Sequence, residues 1–454
     1  MKNYAEFLEN KRHSIGSFGF ECNYLPDMAF DFQKHVIEES VKKGRIANFL
    51  DTGLGKTLIQ LSIAENIVRH TNKNVLILTP LAVAFQFLIE AEKIGVNDIE
   101  YSKDGTFTKK IVICNYERLH YFNSSDFTGV ILDESSILKN FDGKIKGQIT
   151  AFIKKIPYRF LSTATPSPND FIELGTSSEA LGYMGYTDML TKFFKNNSNS
   201  LDPKHAGEKW YLKPHAEDNF FAWVNQWSIM AKMPSDLGFS DEKYILPELI
   251  INKHSVKNNS LIDIDDQIQM FNIKAKGFHE VRHEQKQTVK ERVEKAVDLA
   301  SDKTSVYWCN LNSESGLLKE LDKEAVEIIG SQSIDRKEDI LMNFANGNIK
   351  RIITKAKMTG VGLNWQHCNH SVFFPTYSYE QYYQALRRFW RFGQKRDVTI
   401  DMVLSDGQGG VLEAIEKKTV KAKQLHKKLN ENVNKTYSHI QKDFNKQIIT
   451  PNFL

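Results

Sequence analysis

Ten short, largely apolar segments set the limits on what this chain can fold into. The first five are IANFLDT (46–52), NVLILTP (74–80), KIVICNY (110–116), GVILDES (129–135) and YRFLSTATP (158–166). The second five are SVYWCN (305–310), AVEIIG (325–330), KRIITK (350–355), HSVFFP (370–375) and DVTIDMVL (397–404). They do not alternate apolar with polar residues, which suits strands covered on both faces of a parallel sheet. Between them run helical patterns such as TLIQLSIAENIVRH (57–70), with apolar residues three and four apart. Two clusters of such units predict two α/β lobes in tandem, each on a parallel sheet. The stretch between them differs, with a polar NNSNS at 196–200, aromatic residues from Trp210 to Trp227, and ILPEL at 245–249. The expected division is a first lobe over 1–180, a helical insertion over 181–250, a second lobe over 251–410 and a basic helical tail over 411–454.

Composition removes several other classes. Of 454 residues, 41% are hydrophobic and 26% charged, which is ordinary for a globular protein and excludes disorder throughout. No run of 18 apolar residues occurs, so no membrane span is expected. The opening MKNYAEFLENKRHSIG lacks the apolar stretch of a secretory signal, so the expected location is cytoplasmic. A net charge of +4 is too small to argue for nucleic acid by itself. Cys22, Cys114, Cys309 and Cys368 form no C-x-x-C pair and read as reduced, mostly buried thiols. His279-Glu280-Val281-Arg282-His283 fits the zinc-protease pattern H-E-x-x-H, but its charged flanks and the lack of a nearby third ligand read as a surface helix, without zinc. The tail 411–446 holds nine lysines against four acids, which reads first as a solvated helix face and second as a DNA contact.

Three constellations carry chemistry. The strand IANFL runs into Asp51-Thr52-Gly53-Leu54-Gly55-Lys56-Thr57 and then a helix. Glycines there let backbone N–H groups close around phosphate oxygens, and the helix N-terminus adds positive potential. Lys56 suits the β- and γ-phosphates, and Thr57 a magnesium ion. The wider pattern G-x-x-x-x-G-K-[ST] wants glycine at position 50, where Leu50 stands. The second constellation is Asp133-Glu134 at the end of GVILDESS, where buried charge is expensive unless used. Asp133 suits magnesium, and Glu134 a base that deprotonates water. The third is QALRRFWRFGQ (384–394), in which Arg388 and Arg391 stand three apart and are expected on one helix face. No acid lies between Gln381 and Arg396 to pair with five positive charges, which favours an anion from outside.

In chain order these residues resemble the superfamily-two helicases, and within them the Swi/Snf-related ATPases, over roughly 25–405. Phe32-Gln33-Lys34 is similar to the adenine-reading motif, with Gln33 as its glutamine. LTPLAVAFQFLIE (78–90) resembles motif Ia, and CNYE (114–117) the next DNA-tracking motif. LDESSILKN (132–140) is similar to the acidic box with its Lys139-Asn140 pair, and STATPSPND (162–170) to the motif that couples the lobes, with Thr163 and Thr165. GSQSIDRKEDILMNFANG (330–347) and MTGVGLNW (358–365) resemble motifs of the second lobe, and QALRRFWRFGQ fits the ending Q-A-x-x-R-x-x-R-x-G-Q. The compact length, the Asp-Glu-Ser-Ser box and the stretch 214–239 look most like the short forms carried by bacteriophages and prophages.

The resemblance implies two RecA-like lobes that close on ATP and Mg²⁺, with Gln33, Thr52, Gly53, Gly55, Lys56, Thr57, Asp133, Gly362 and Gln384 around the nucleotide. Glu134 would activate water, and Arg388 and Arg391 would stabilise charge on the γ-phosphate. Thr79, Asn115, Tyr116 and Asn364 are the implied nucleic-acid contacts, with Trp365 as a stacking platform. Ser136 stands where the family often has a histidine, which bears on coupling rather than on magnesium binding. The implied protein is a monomeric DNA motor, largely indifferent to base sequence, that acts on duplex, forked or branched DNA in phage replication or recombination. Three alternatives stay open: an RNA helicase, an ATP-gated DNA clamp with little turnover, and the motor of a defence complex whose nuclease is a separate partner.

Overall fold

The computed structural model describes residues 18–80, 83–139, 143–167, 169–197, 209–257, 262–264, 267–269, 278–359, 364–420, 424 and 427–428. The chain forms two compact units. One comprises Met1–Leu78, Ala91–Ser240 and Ala422–Leu454, the other Thr79–Glu90 and Asp241–Lys421. Asn140, Gly362, residues 198–200 and the residues beyond 428 lie outside the described residues, as do the side chains of His279 and Glu280.

The first unit is built on β1 (Arg45–Leu50), β2 (Asn74–Thr79), β3 (Ile99–Tyr101), β4 (Ile111–Asn115), β5 (Phe127–Asp133) and β6 (Tyr158–Ser162). A small antiparallel hairpin follows, β7 (Phe194–Asn196) with β8 (Trp210–Leu212), and then β9 (Ser228–Ala231). The large sheet runs β3-β4-β2-β5-β6-β1-β9. β1 pairs in parallel with both β6 and β9, and β5 in parallel with both β2 and β6. All seven residues of β5 are buried, which explains why its sequence is apolar without alternation.

The region expected as a helical insertion is corrected by β9. Residues 217–227 are indeed helical, but Ser228–Ala231 then zips along β1 from Ala47 to Leu50. Trp227 is wholly buried and meets Phe49 of β1 at 6.1 Å between ring centroids. Phe193, Phe220 and Trp223 extend the same cluster, with Trp210 packed against it. The aromatic stretch is therefore core of the first unit up to Ser240. Four residues of SIMA are too short a run to stand out beside an aromatic helix.

The second unit has a six-stranded sheet. Its strands are β10 (Leu249–Val256), β13 (Ser305–Trp308), β14 (Ala325–Glu327), β15 (Arg351–Thr354), β16 (His370–Phe373) and β17 (Val398–Ser405). The short hairpin β11 (Ile262–Ile264) with β12 (Gln267–Gln269) falls between the first two of these. The order is β10-β17-β16-β13-β15-β14, and every pair is parallel. Five of these strands were expected; β10 was not, because it is the outermost strand and mostly exposed, so its sequence is mixed. Polar contacts to the buried Asp401 tie it in. Asp401 accepts from Asn252 at 2.8 Å and pairs with His254 at 2.9 Å and His370 at 2.8 Å. Burial alone would raise the Asp401 pKa, but these bonds outweigh it and hold the carboxyl well below the usual range.

The H-E-x-x-H segment lies in the helix Phe278–Gln287. That helix packs through Glu284, which accepts from the Ser405 hydroxyl at 2.5 Å, and through Gln285, which donates to the Pro375 carbonyl at 3.5 Å. The chain is helical over 409–420, where Lys418 donates to the Tyr377 carbonyl at 3.0 Å. Among the described residues no helix is long and apolar enough to cross a membrane.

Candidate nucleotide site

β1 lies inside its sheet, between β6 and β9, and ends at Leu50. The chain then turns through Asp51–Gly55 into the helix Lys56–Thr71. Gly53 and Gly55 have φ of 95° and 80°, in the left-handed region that glycine enters without penalty. Gly55 is doubly constrained, because a Cβ there would stand 2.2 Å from Gln33 Nε2. Gln33 is buried; its amide donates to the Leu54 carbonyl and accepts from the Phe30 N–H, both at 3.0 Å. It therefore braces the glycine loop from below. Lys56 Nζ lies back across the loop and donates to the Leu50 carbonyl at 3.0 Å and the Asp51 carbonyl at 3.3 Å. Thr52 N–H donates to Asp51 Oδ1 at 2.7 Å. The first turn of the helix, which includes Thr57, carries no acid of its own to offset the positive end.

The carboxylates arrive from two strands away. β6 separates β5 from β1, so the carboxyl ends of three neighbouring strands bring together Asp133-Glu134, Thr163-Thr165 and the glycine loop. Asp133 is buried, and burial pushes its pKa up to about 6; Glu134 adds to the rise, while Gln60 and Lys56 oppose it. Gln60 Nε2 donates to Asp133 Oδ1 at 2.8 Å. The Tyr116 hydroxyl donates to the Asp133 carbonyl at 2.7 Å.

Glu134 has a φ of 56°, uncommon for a residue with a side chain and worth of order 1–3 kcal/mol of strain. Its neighbours hold it there. Ser136 Oγ donates to Glu134 Oε1 at 2.8 Å, and Thr163 Oγ1 donates to the same oxygen at 2.5 Å. Thr163 Oγ1 accepts in turn from Thr165 N–H at 3.0 Å, and Thr163 N–H donates to Asn48 of β1 at 3.3 Å. Ser136 thus sits on the carboxylate itself, and the bridge from Glu134 to the loop after β6 runs through a threonine hydroxyl.

These residues fit a magnesium nucleotide. The buried carboxyl of Asp133 and the hydroxyl of Thr57 are hard oxygen donors beside a cationic loop. Gln60 was not singled out in the sequence, although it stands one helical turn beyond Lys56 and so on the same face. Gln60→Leu removes the Asp133 bond with little change in volume. Losing a hydrogen bond to a charged group, roughly 1.5 kcal/mol, is expected to raise the magnesium concentration that half-saturates nucleotide binding about tenfold. A magnesium titration of nucleotide binding checks this, and an unchanged midpoint would show the bond to be idle.

In the second unit, Gln384 lies on the helix Tyr379–Leu386 and donates to Glu380 at 3.5 Å. Arg388 and Arg391 do not share a face of that helix, which ends at Leu386. Residues 387–393 follow as tight turns, closed by Arg388 N–H to the Ala385 carbonyl at 3.3 Å and by Gly393 at φ 90°. Arg388 is 3% exposed, and its Cζ lies 4.5 Å above the Trp365 ring. Burial pushes its guanidinium pKa down to about 9, and Arg391 adds to this. Arg391 is half-buried. Gln394 anchors the turns, donating to the carbonyls of Gln366, Cys368 and Phe389 at 3.0, 3.2 and 3.3 Å.

The residues named for nucleic acid are mostly inside. Thr79 closes β2 and is buried, and the buried Asn115 donates to the Tyr101 hydroxyl at 2.9 Å. Tyr116 and Trp365 are buried too, so neither presents a ring face to a base. Asn364 is half-buried, and its Oδ1 has no hydrogen-bond partner among the described residues.

Comparison with known proteins bears on the second unit above all. Residues 267–393 match the family described as helicase conserved C-terminal domain. That span includes β13 to β16 and the turns that carry Arg388 and Arg391. No curated protein matches the chain. Among solved structures, a Sulfolobus solfataricus SWI2/SNF2 ATPase core in complex with dsDNA is similar over 86% of this chain and 90% of that one, with 17% identity and a TM-score of 0.41.

Proposed function

We propose that the chain is an ATP-dependent DNA motor of the Swi/Snf type, which hydrolyses ATP and converts the resulting conformational cycle into movement along DNA. The observation that carries this reading is the convergence of the glycine loop, Asp133-Glu134 and Thr163 at the carboxyl ends of three adjacent strands. The helicase C-terminal match over the arginine turns supports it from the other unit.

In this reading the backbone N–H groups of Thr52 to Gly55 and the Lys56 ammonium bind the phosphates. Asp133 and Thr57 would hold Mg²⁺, which would neutralise phosphate charge. Ser136 and Thr163 fix Glu134 by one oxygen, and the other oxygen, Oε2, takes the proton of the attacking water. Arg388 and Arg391 stabilise charge that develops on the γ-phosphate. Gln33 braces the glycine loop and reads adenine.

Contacts to nucleic acid through backbone phosphates make binding insensitive to base sequence and sensitive to salt. The Lys139-Asn140 pair and the QALRRFWRFGQ ending favour DNA over RNA through the resemblance they carry. The Asp-Glu-Ser-Ser box and the stretch 214–239 support, through the resemblance they carry, a phage or prophage form that acts in DNA replication or recombination.

The test is ATP hydrolysis with single-stranded, duplex, forked and four-way DNA, and with RNA. Stimulation of about tenfold or more by duplex or branched DNA is expected, falling steeply as salt rises. Background turnover with every DNA would leave an ATP-gated clamp, and equal stimulation by RNA would leave an RNA motor.

A further inference from the structure

Trp365 reads in the sequence as a surface for stacking bases, and the structure puts it to a different use. The ring is wholly buried. Trp308 stacks on it at 5.7 Å, Phe389 lies at 5.9 Å, and Phe344 meets it perpendicularly at 5.2 Å. Three aromatic neighbours fix the plane of the indole. Its face carries the Arg388 guanidinium, with Cζ 4.5 Å from the ring centroid. The main-chain N–H of Trp365 also donates to the Arg388 carbonyl at 3.2 Å, so main chain and side chain are both tied to the same residue.

We propose that Trp365 is a positioning residue for Arg388, an indole shelf that fixes where the guanidinium stands. This rests on the reading of Arg388 as a group that stabilises the γ-phosphate. The chemistry favours indole over other aromatic rings, because a planar guanidinium stacks on it and its face is the most electron-rich. The attraction is stronger in a dry site than at a surface, and burial of Arg388 makes this site dry. Burial also depresses the pKa of Arg388, so a charge-stabilising surface under it helps keep the cation. A ring packed on three sides with its remaining face covered by a guanidinium has no room for a base.

The test compares Trp365→Phe and Trp365→Leu in the full chain, with thermal melting to confirm folding. A residue that places a group acting in the transition state changes kcat rather than KM. Trp365→Leu is expected to lower kcat roughly ten- to thirtyfold, the scale of a desolvated cation–π contact. KM for ATP and affinity for DNA should stay within about twofold, and Trp365→Phe should recover most of the loss. In an Arg388→Ala background, Trp365→Leu should lower kcat no further, because the shelf then has nothing to place.

A second readout does not depend on hydrolysis. Arg388 should react faster with an arginine-selective dicarbonyl reagent in Trp365→Leu than in the parent, as read by mass spectrometry. Faster modification without hydrolysis in any variant, parent included, would retain the shelf and remove the proposed function. Unchanged kcat together with unchanged modification overturns the shelf, as does a loss of DNA affinity with kcat intact.

Discussion

Glu134→Gln is expected to bind ATP as the parent does and to hydrolyse it about 10²–10⁴ times more slowly, the usual contribution of a positioned general base. The argument rests on how little else the change disturbs. The amide keeps a carbonyl oxygen at the Oε1 position, which still accepts the hydroxyls of Ser136 and Thr163. The left-handed backbone at this position is common to both side chains. Asp133, Lys56 and the glycine loop stay in place, so the residues proposed to bind the nucleotide are intact. What goes is basicity at the second oxygen. Equilibrium binding of ATP beside steady-state turnover measures the two halves of the expectation, and turnover close to the parent's would remove Glu134 from the role of base.

Loss of the arginines should be larger still. Groups of this kind contribute about 10³–10⁵ in rate to phosphoryl transfer. Arg391→Ala is the cleaner variant, because Arg391 is half-buried and its removal leaves little void. Arg388→Ala empties a dry site over the Trp365 ring and should also lower the melting temperature. Lysine is not a substitute at either position, since an ammonium can neither stack on indole in the same way nor offer two parallel donors. Single-turnover hydrolysis with saturating DNA is the measurement. ATP binding that survives while the chemical step collapses is the expected pattern; a variant that keeps its rate would place that arginine outside the reaction.

The parts legible in the sequence are those whose cause is local. A strand, a glycine turn and a helix N-terminus occupy one stretch of chain, and Asp133-Glu134 ends a strand whose residues are all buried. The two parallel sheets were legible because their strands are covered on both faces. β3, β9 and β10 were not: the first two have three and four residues, and the third is outermost and mostly exposed. Spacing put Arg388 and Arg391 on one face, yet spacing does not show that the helix stops at Leu386. The hydroxyl that grips Glu134 from Thr163 is 29 residues away in the chain, a contact that only the pairing of β5 with β6 creates. For Tyr116 and Trp365 an aromatic residue beside an asparagine suits a groove or a core equally well, and packing decided for the core.

The pairing of β9 with β1 reaches beyond the fold. The strand that delivers the glycine loop is flanked on both sides, and Asp51 N–H itself donates to the Ala231 carbonyl at 2.9 Å. A fragment cut near residue 180 would strip one flank and leave a row of bare amides and carbonyls on the strand beneath the glycine loop. Such an edge invites a second chain to add to it. The first lobe therefore reaches its natural end only after residue 231, and a shorter excision would carry the glycine loop on an aggregation-prone border.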